Sequence, residues 1–156
     1  MAYPVDSDKW QRVRQMMERH DLDAVVVRAP DNVLYLSNYW TMKGYDLAIF
    51  PREGDPTLLV IEPQFREAQH TAWNKDVRFF PFYHPKDPRP PMIRAVEMAV
   101  EVLRERKLNG RVGIELSQTS QICDRMVGEP TVYWQGFYDA FHAACREIVD
   151  AAPLLA

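Results

Sequence analysis

Ala24-Val25-Val26-Val27 is a run of four apolar residues, the last three β-branched, with no polar residue among them. A strand with one wet face alternates apolar and polar side chains, so a run like this suits a strand buried on both faces. Such a strand needs cover on both sides. Residues 8–20 offer one cover: Trp10, Val13, Met16 and Met17 share a face at helical spacing, and Asp6 or Ser7 stands as N-cap. The first 27 residues therefore already point to a layered α/β fold.

The alternation continues along the chain. Ala29-Pro30-Asp31-Asn32 breaks the first strand, and Val33 to Leu36 reads as a short helix after a Pro/Asp start. Asp46 to Pro51 and Thr57 to Ile61 read as a hairpin turned by Arg52-Glu53-Gly54-Asp55-Pro56. A helix over Glu62 to Trp73 and a strand over Val77 to Phe80 follow. Pro85, Pro88, Pro90 and Pro91 then forbid regular structure from His84 to Pro91. Ile93, Val96, Val100 and Leu103 place a long helix over Met92 to Lys107, closed by Asn109-Gly110. Arg111 to Leu116 reads as a strand, Thr119 to Met126 as a helix, and Thr131 to Gln135 as a last strand. Tyr138 to Val149 is expected as a final helix, with Phe141, Ala144, Cys145 and Ile148 inward. The sum is a three-layer α/β sandwich: a mixed, mostly parallel sheet of about six strands with one hairpin, flanked by helices. No repeat or linker divides residues 1–156, which read as a single domain.

Composition excludes several functions. Lys and Arg number 19 against 22 Asp and Glu, a net charge of −3, so no basic field draws the chain to nucleic acid or anionic lipid. No apolar run reaches the roughly 18–20 residues of a membrane span, and the N-terminus lacks the features of a signal peptide. Cys123 and Cys145 cannot build a disulfide framework, and a reducing cytoplasm is the simplest home.

Chemical motifs are scarce. The six glycines form neither a dinucleotide-binding loop nor a P-loop. His20, His70, His84 and His142 have no zinc-ligand spacing, and Cys123 and Cys145 form no C-x-x-C pair, so no metal ligand is expected. Ser37, Ser117 and Ser120 lie in no nucleophile turn. Glu62 and Glu115 each end a strand, where active residues of α/β sheets gather; as a pair they could act as acid and base, or they are plain solvated carboxylates. One stretch does stand out. Tyr35, Tyr39, Trp40 and Tyr45 crowd around Asn38, Thr41, Met42, Lys43 and Gly44, a loop composition typical of recognition surfaces. Tyr35 is expected to face inward with Val33 and Leu36. The aromatic runs Phe79 to Tyr83 and Tyr133 to Tyr138 are expected mostly to pack in the core.

Four segments together resemble the N-terminal domain of the creatinase/prolidase (Xaa-Pro peptidase) family. They are the opening helix from Trp10 to Met17 running into Ala24-Val25-Val26-Val27, and Pro30 to Asn38, similar to the family's N-x-x-Y-L-[ST]-G with Asn38 where Gly is usual. The others are Gly110-Arg111-Val112-Gly113-Ile114-Glu115, similar to G-x-[IV]-G-[IV]-E, and Ala144 to Ala151, similar to the run before the domain junction. The resemblance implies that chemistry belongs to a following pita-bread domain, absent from this chain. That domain would hold two divalent ions such as Mn, Co or Zn, or none in a creatinase-like enzyme. It also implies a homodimer in which the loop after Asn38 leans over the neighbouring subunit's active site. Tyr39, Trp40 and Lys43 are then the expected contacts to a dipeptide or other small substrate. The apolar end, Ile148 to Ala156, is expected either to lead into that domain or to dock as a tail. A different class, a freestanding binding or regulatory module, keeps the same fold without hydrolysis. A third is a small enzyme working through Glu62 or Glu115.

Overall fold

The computed structural model describes residues 3–41, 45–117 and 135–155. Within them the order is α1 (Ser7–Arg19), β1 (Ala24–Val27), α2 (Pro30–Ser37), β2 (Leu47–Pro51), β3 (Thr57–Ile61), a 3-10 turn (Glu62–Gln64), α3 (Phe65–Thr71), β4 (Asp76–Phe80), α4 (Pro91–Glu105), β5 (Arg111–Ile114), α5 (Gln135–Ala144), β6 (Glu147–Asp150) and α6 (Ala152–Leu155). The strands form one sheet in the order β4-β3-β2-β1-β5-β6. β2 runs antiparallel to β1 and β3, and the other neighbours are parallel.

β1 sits inside this sheet, and all four of its side chains are buried. Ala24 and Val26 face one core, where α4 brings Val96, Ala99 and Leu103 and α5 brings Phe137 and Phe141. Val25 and Val27 face the other, with Trp10, Val13, Met16 and Met17 of α1 and Val33 and Leu36 of α2. The uninterrupted apolar run is therefore the middle layer of three. Asp6 caps α1, accepting the Lys9 N–H at 2.9 Å.

Both glycines of the β5 motif are demanded by close approach. A Cβ on Gly110 would lie 2.1 Å from Asp23 Oδ2, and one on Gly113 3.0 Å from the Ala151 Cβ. Asp23 is needed there, because its carboxylate accepts the Arg111 N–H at 2.8 Å.

Several expectations need correction. The helix expected over Tyr138 to Val149 ends at Ala144, and Glu147–Asp150 pairs with β5 as an edge strand. The backbone turns where Arg146 N–H and Glu147 N–H reach the Asn109 and Gly110 carbonyls. Ile148 then packs on the α4 side and Val149 on the α1 side, a period of two that helical spacing had masked. The helix over Thr119 to Met126 lies outside the described residues, as does the strand over Thr131 to Gln135 except for Gln135 itself, which opens α5. Tyr35 is 39% exposed because Val33 and Leu36 own the inner face of α2, and Lys9 Nζ stacks 4.6 Å from its ring. Phe79, Phe82 and Tyr83 are exposed as well: β4 is an edge strand, and the last two lie beyond its end.

The proline-rich stretch has no helix or strand of its own, yet it is held down. Arg94 donates to the carbonyls of Pro81, Phe82, Asp87 and Arg89. Arg89 in turn bridges Asp87 and Glu97. At the other end of the chain, Ala151 and Ala152 are buried, and Leu154 and Leu155 pack on the α1 side.

Candidate functional site

β1, β5 and β6 finish at the end of the sheet where β2 begins, so α2, residues 38–41, Asp46 and Glu115 gather at that end. α2 opens with Pro30 at its first turn and has no capping side chain of its own at Ala29. The backbone just ahead of the helix finds a partner on the neighbouring strand's end. Glu115, just past β5, accepts Arg28 N–H at 2.8 Å, Ala29 N–H at 2.9 Å and the Asn32 side-chain amide at 2.6 Å. This carboxylate is buried and spent on orienting a helix. Glu62 is exposed three strand spacings away, about 14 Å, so the two carboxylates do not form an acid–base pair.

At its other end α2 stops in a left-handed residue. Asn38 has φ 56° and ψ 24° and donates its N–H to the Leu34 carbonyl. This conformation explains the preference for glycine at this point of the motif, and asparagine is the side chain that tolerates it best. The Asn38 amide also donates to the Thr71 carbonyl at 3.1 Å, and Trp73 N–H to the Ser37 carbonyl at 2.7 Å, so α2 is tied to the end of α3.

The chain then dives inward. Tyr39 is 1% exposed. Its hydroxyl faces the carboxylate of Asp46, although neither it nor Asp46 Oδ2 closes a hydrogen bond of standard geometry. Asp46 is fully buried; its Oδ1 accepts Ile61 N–H of β3 at 2.8 Å, and the Thr41 hydroxyl is a further partner. Burial pushes the Asp46 carboxyl up to about 6, against the pull of those donors. Burial and the neighbouring acid also hold the Tyr39 phenol far above its ordinary range.

Between these two anchors, Trp40 is 38% exposed. It lines an open groove of about 260 Å³ with Tyr3, Leu34, Asn38, Tyr39, Glu67 and Thr71. Tyr39 and Trp40 are thus brought together as floor and wall of one groove, while Lys43 lies outside the described residues. Asp46 was the residue the sequence concealed: a lone acid opening the apolar strand Leu47-Ala48-Ile49-Phe50 was its only signal.

The remaining candidates disperse. The four histidines are all exposed and sit on separate elements. Burial lifts the Cys145 thiol to about 11, which keeps it protonated. Ser37 is buried and bonds the Val33 carbonyl within its own helix. Among the described residues no three His, Cys, Asp or Glu converge where they could hold a metal ion, and no helix is long and apolar enough to cross a membrane.

Residues 9–155 match the family described as the Creatinase/Prolidase N-terminal domain. Solved structures share the fold. The prolidase from Pyrococcus horikoshii OT3 is 18% identical with a TM-score of 0.63, over 96% of this chain and 34% of that one. A proline dipeptidase from Streptococcus pneumoniae TIGR4 is 18% identical with a TM-score of 0.65, over 94% and 93% of the two chains. The N-terminal domain of cytoplasmic peptidase PepQ from Mycobacterium tuberculosis H37Rv is 16% identical with a TM-score of 0.66, over 95% of each. The chain thus spans about a third of the P. horikoshii protein. Among curated proteins, none matches it.

Proposed function

The chain belongs to the creatinase/prolidase N-terminal domain family, and from that premise we propose that it serves a metal-dependent Xaa-Pro dipeptidase, aminopeptidase or creatinase-like C–N hydrolase as its non-catalytic N-terminal part, in the cytoplasm. Two copies associate, and the loop after α2 covers the active site of the neighbouring subunit. There Trp40 packs on a small substrate, Tyr39 supports it from below, and the Lys43 ammonium pairs with a substrate carboxylate.

The observation that carries this reading is Trp40. An indole more than a third exposed is costly to leave in water, and it stands on backbone pinned at Asn38, Tyr39 and Thr41. A large ring held outward by a rigid support is what a contact residue requires. The divalent ions of such a hydrolase find no fitting donor set among the described residues, since Glu115 and Asp46 are both spent on backbone N–H groups. On this reading the catalytic chemistry belongs to a further domain of the whole protein; this chain covers 34% of the length of the P. horikoshii prolidase.

Two measurements test the reading. Light scattering of the chain is expected to give a dimer at tens of micromolar, and a strict monomer overturns the assembly claim. In the protein encoded by the full reading frame, Trp40→Ala is expected to raise KM for a proline dipeptide about tenfold with a smaller change in kcat. An unchanged KM removes Trp40 from the substrate.

A further inference from the structure

Two segments, β3 and the stretch from Tyr39 to Thr41, converge on the buried carboxylate of Asp46. β3 donates Ile61 N–H to Oδ1, the Thr41 hydroxyl is a further partner, and the Tyr39 phenol faces the carboxylate. Tyr39 and Thr41 are the residues on either side of Trp40, and both are buried where Trp40 is not. We propose that Asp46 is a positioning residue: its carboxylate holds the two anchors that set the Trp40 indole in the groove, and the indole's placement follows the protonation state of that acid.

The functional meaning of this inference rests on the reading of Trp40 as a substrate contact; the coupling itself does not. The chemistry is direct. The neutral acid offers one O–H and accepts weakly. The carboxylate accepts only, and charge-assisted hydrogen bonds are shorter, so ionisation draws both hydroxyls inward and takes the backbone on each side of Trp40 with them. Among the described residues the other titratable group facing the cluster is Glu67 of α3, whose charge acts on the Tyr39 hydroxyl; β3 presents a backbone N–H. The transition falls near pH 6, where burial has moved the acid.

The test is a pH titration of the indole N–H resonances of the 156-residue chain, with Trp40 assigned through Trp40→Phe. The Trp40 signal is expected to move in a single step with its midpoint about 6. Asp46→Asn keeps an acceptor for Ile61 and removes the proton equilibrium, so it is expected to flatten the curve. Tyr39→Phe removes a donor that favours the charged form and is expected to raise the midpoint by roughly half a unit. Should the asparagine variant fail to fold, that shift decides the matter alone. A Trp40 signal that is flat in the native chain overturns the proposal, as does a step that survives Asp46→Asn or a midpoint indifferent to Tyr39→Phe. No substrate enters this experiment, so it stands or falls separately from the KM of Trp40→Ala.

Discussion

Two buried carboxylates answer the same problem in opposite ways. Glu115 meets two backbone N–H groups and an amide, and so repays its burial by starting α2. Glu115→Ala leaves those donors unpartnered and is expected to cost about 2–4 kcal/mol in denaturant unfolding, with Glu115→Gln recovering part of it. Asp46 is raised in the fold from its ordinary 3.8 to about 6. The neutral acid is therefore the form the fold prefers; its contribution is complete below the unfolded value near 4 and fades as pH rises through 6. Relative to the native chain, Asp46→Asn is expected to be more stable at pH 7.5 than at pH 4.5, by about 2 kcal/mol. Thermal melts of both proteins at the two pH values check this. Neither role was legible in the sequence: the Glu115 donors lie 83 to 87 residues away and Ile61 lies 15 from Asp46, while Tyr39 and Thr41 stand at no spacing that marks the partners of a buried acid.

At the scale of elements, legibility followed periodicity. α1 and α4 were plain because one face of each repeats at helical spacing, and β1 because its run has no polar gap. Glu147–Asp150 was misread, since Ile148 completes a helical stripe with Phe141, Ala144 and Cys145 although the chain has already turned. What decides there is pairing with β5, a contact between distant segments. The β5 glycines matter for the same reason: Gly110→Ala forces Asp23 off the Arg111 N–H and is expected to cost about 1–3 kcal/mol in unfolding. Arg94 gives a different kind of test, since it holds the proline-rich loop and not the core. Arg94→Ala is expected to speed chymotrypsin cleavage after Phe82 or Tyr83 about tenfold with little change in the thermal midpoint.

For the whole molecule, the direction of β2 is decisive. Running against β1 and β3, it starts where its neighbours finish, so α2, the Trp40 loop, Asp46 and Glu115 share one end of the sheet. The opposite end holds the Arg52–Pro56 turn, with Glu53, Gly54 and Asp55 exposed, at a distance of one strand, about 16 Å. Such a tip tolerates added length, because closing a longer loop raises the entropy cost only slowly. A reporter peptide spliced between Glu53 and Asp55 would ride on the far pole of the domain, giving a handle for immobilising or labelling the chain that leaves the α2 end untouched.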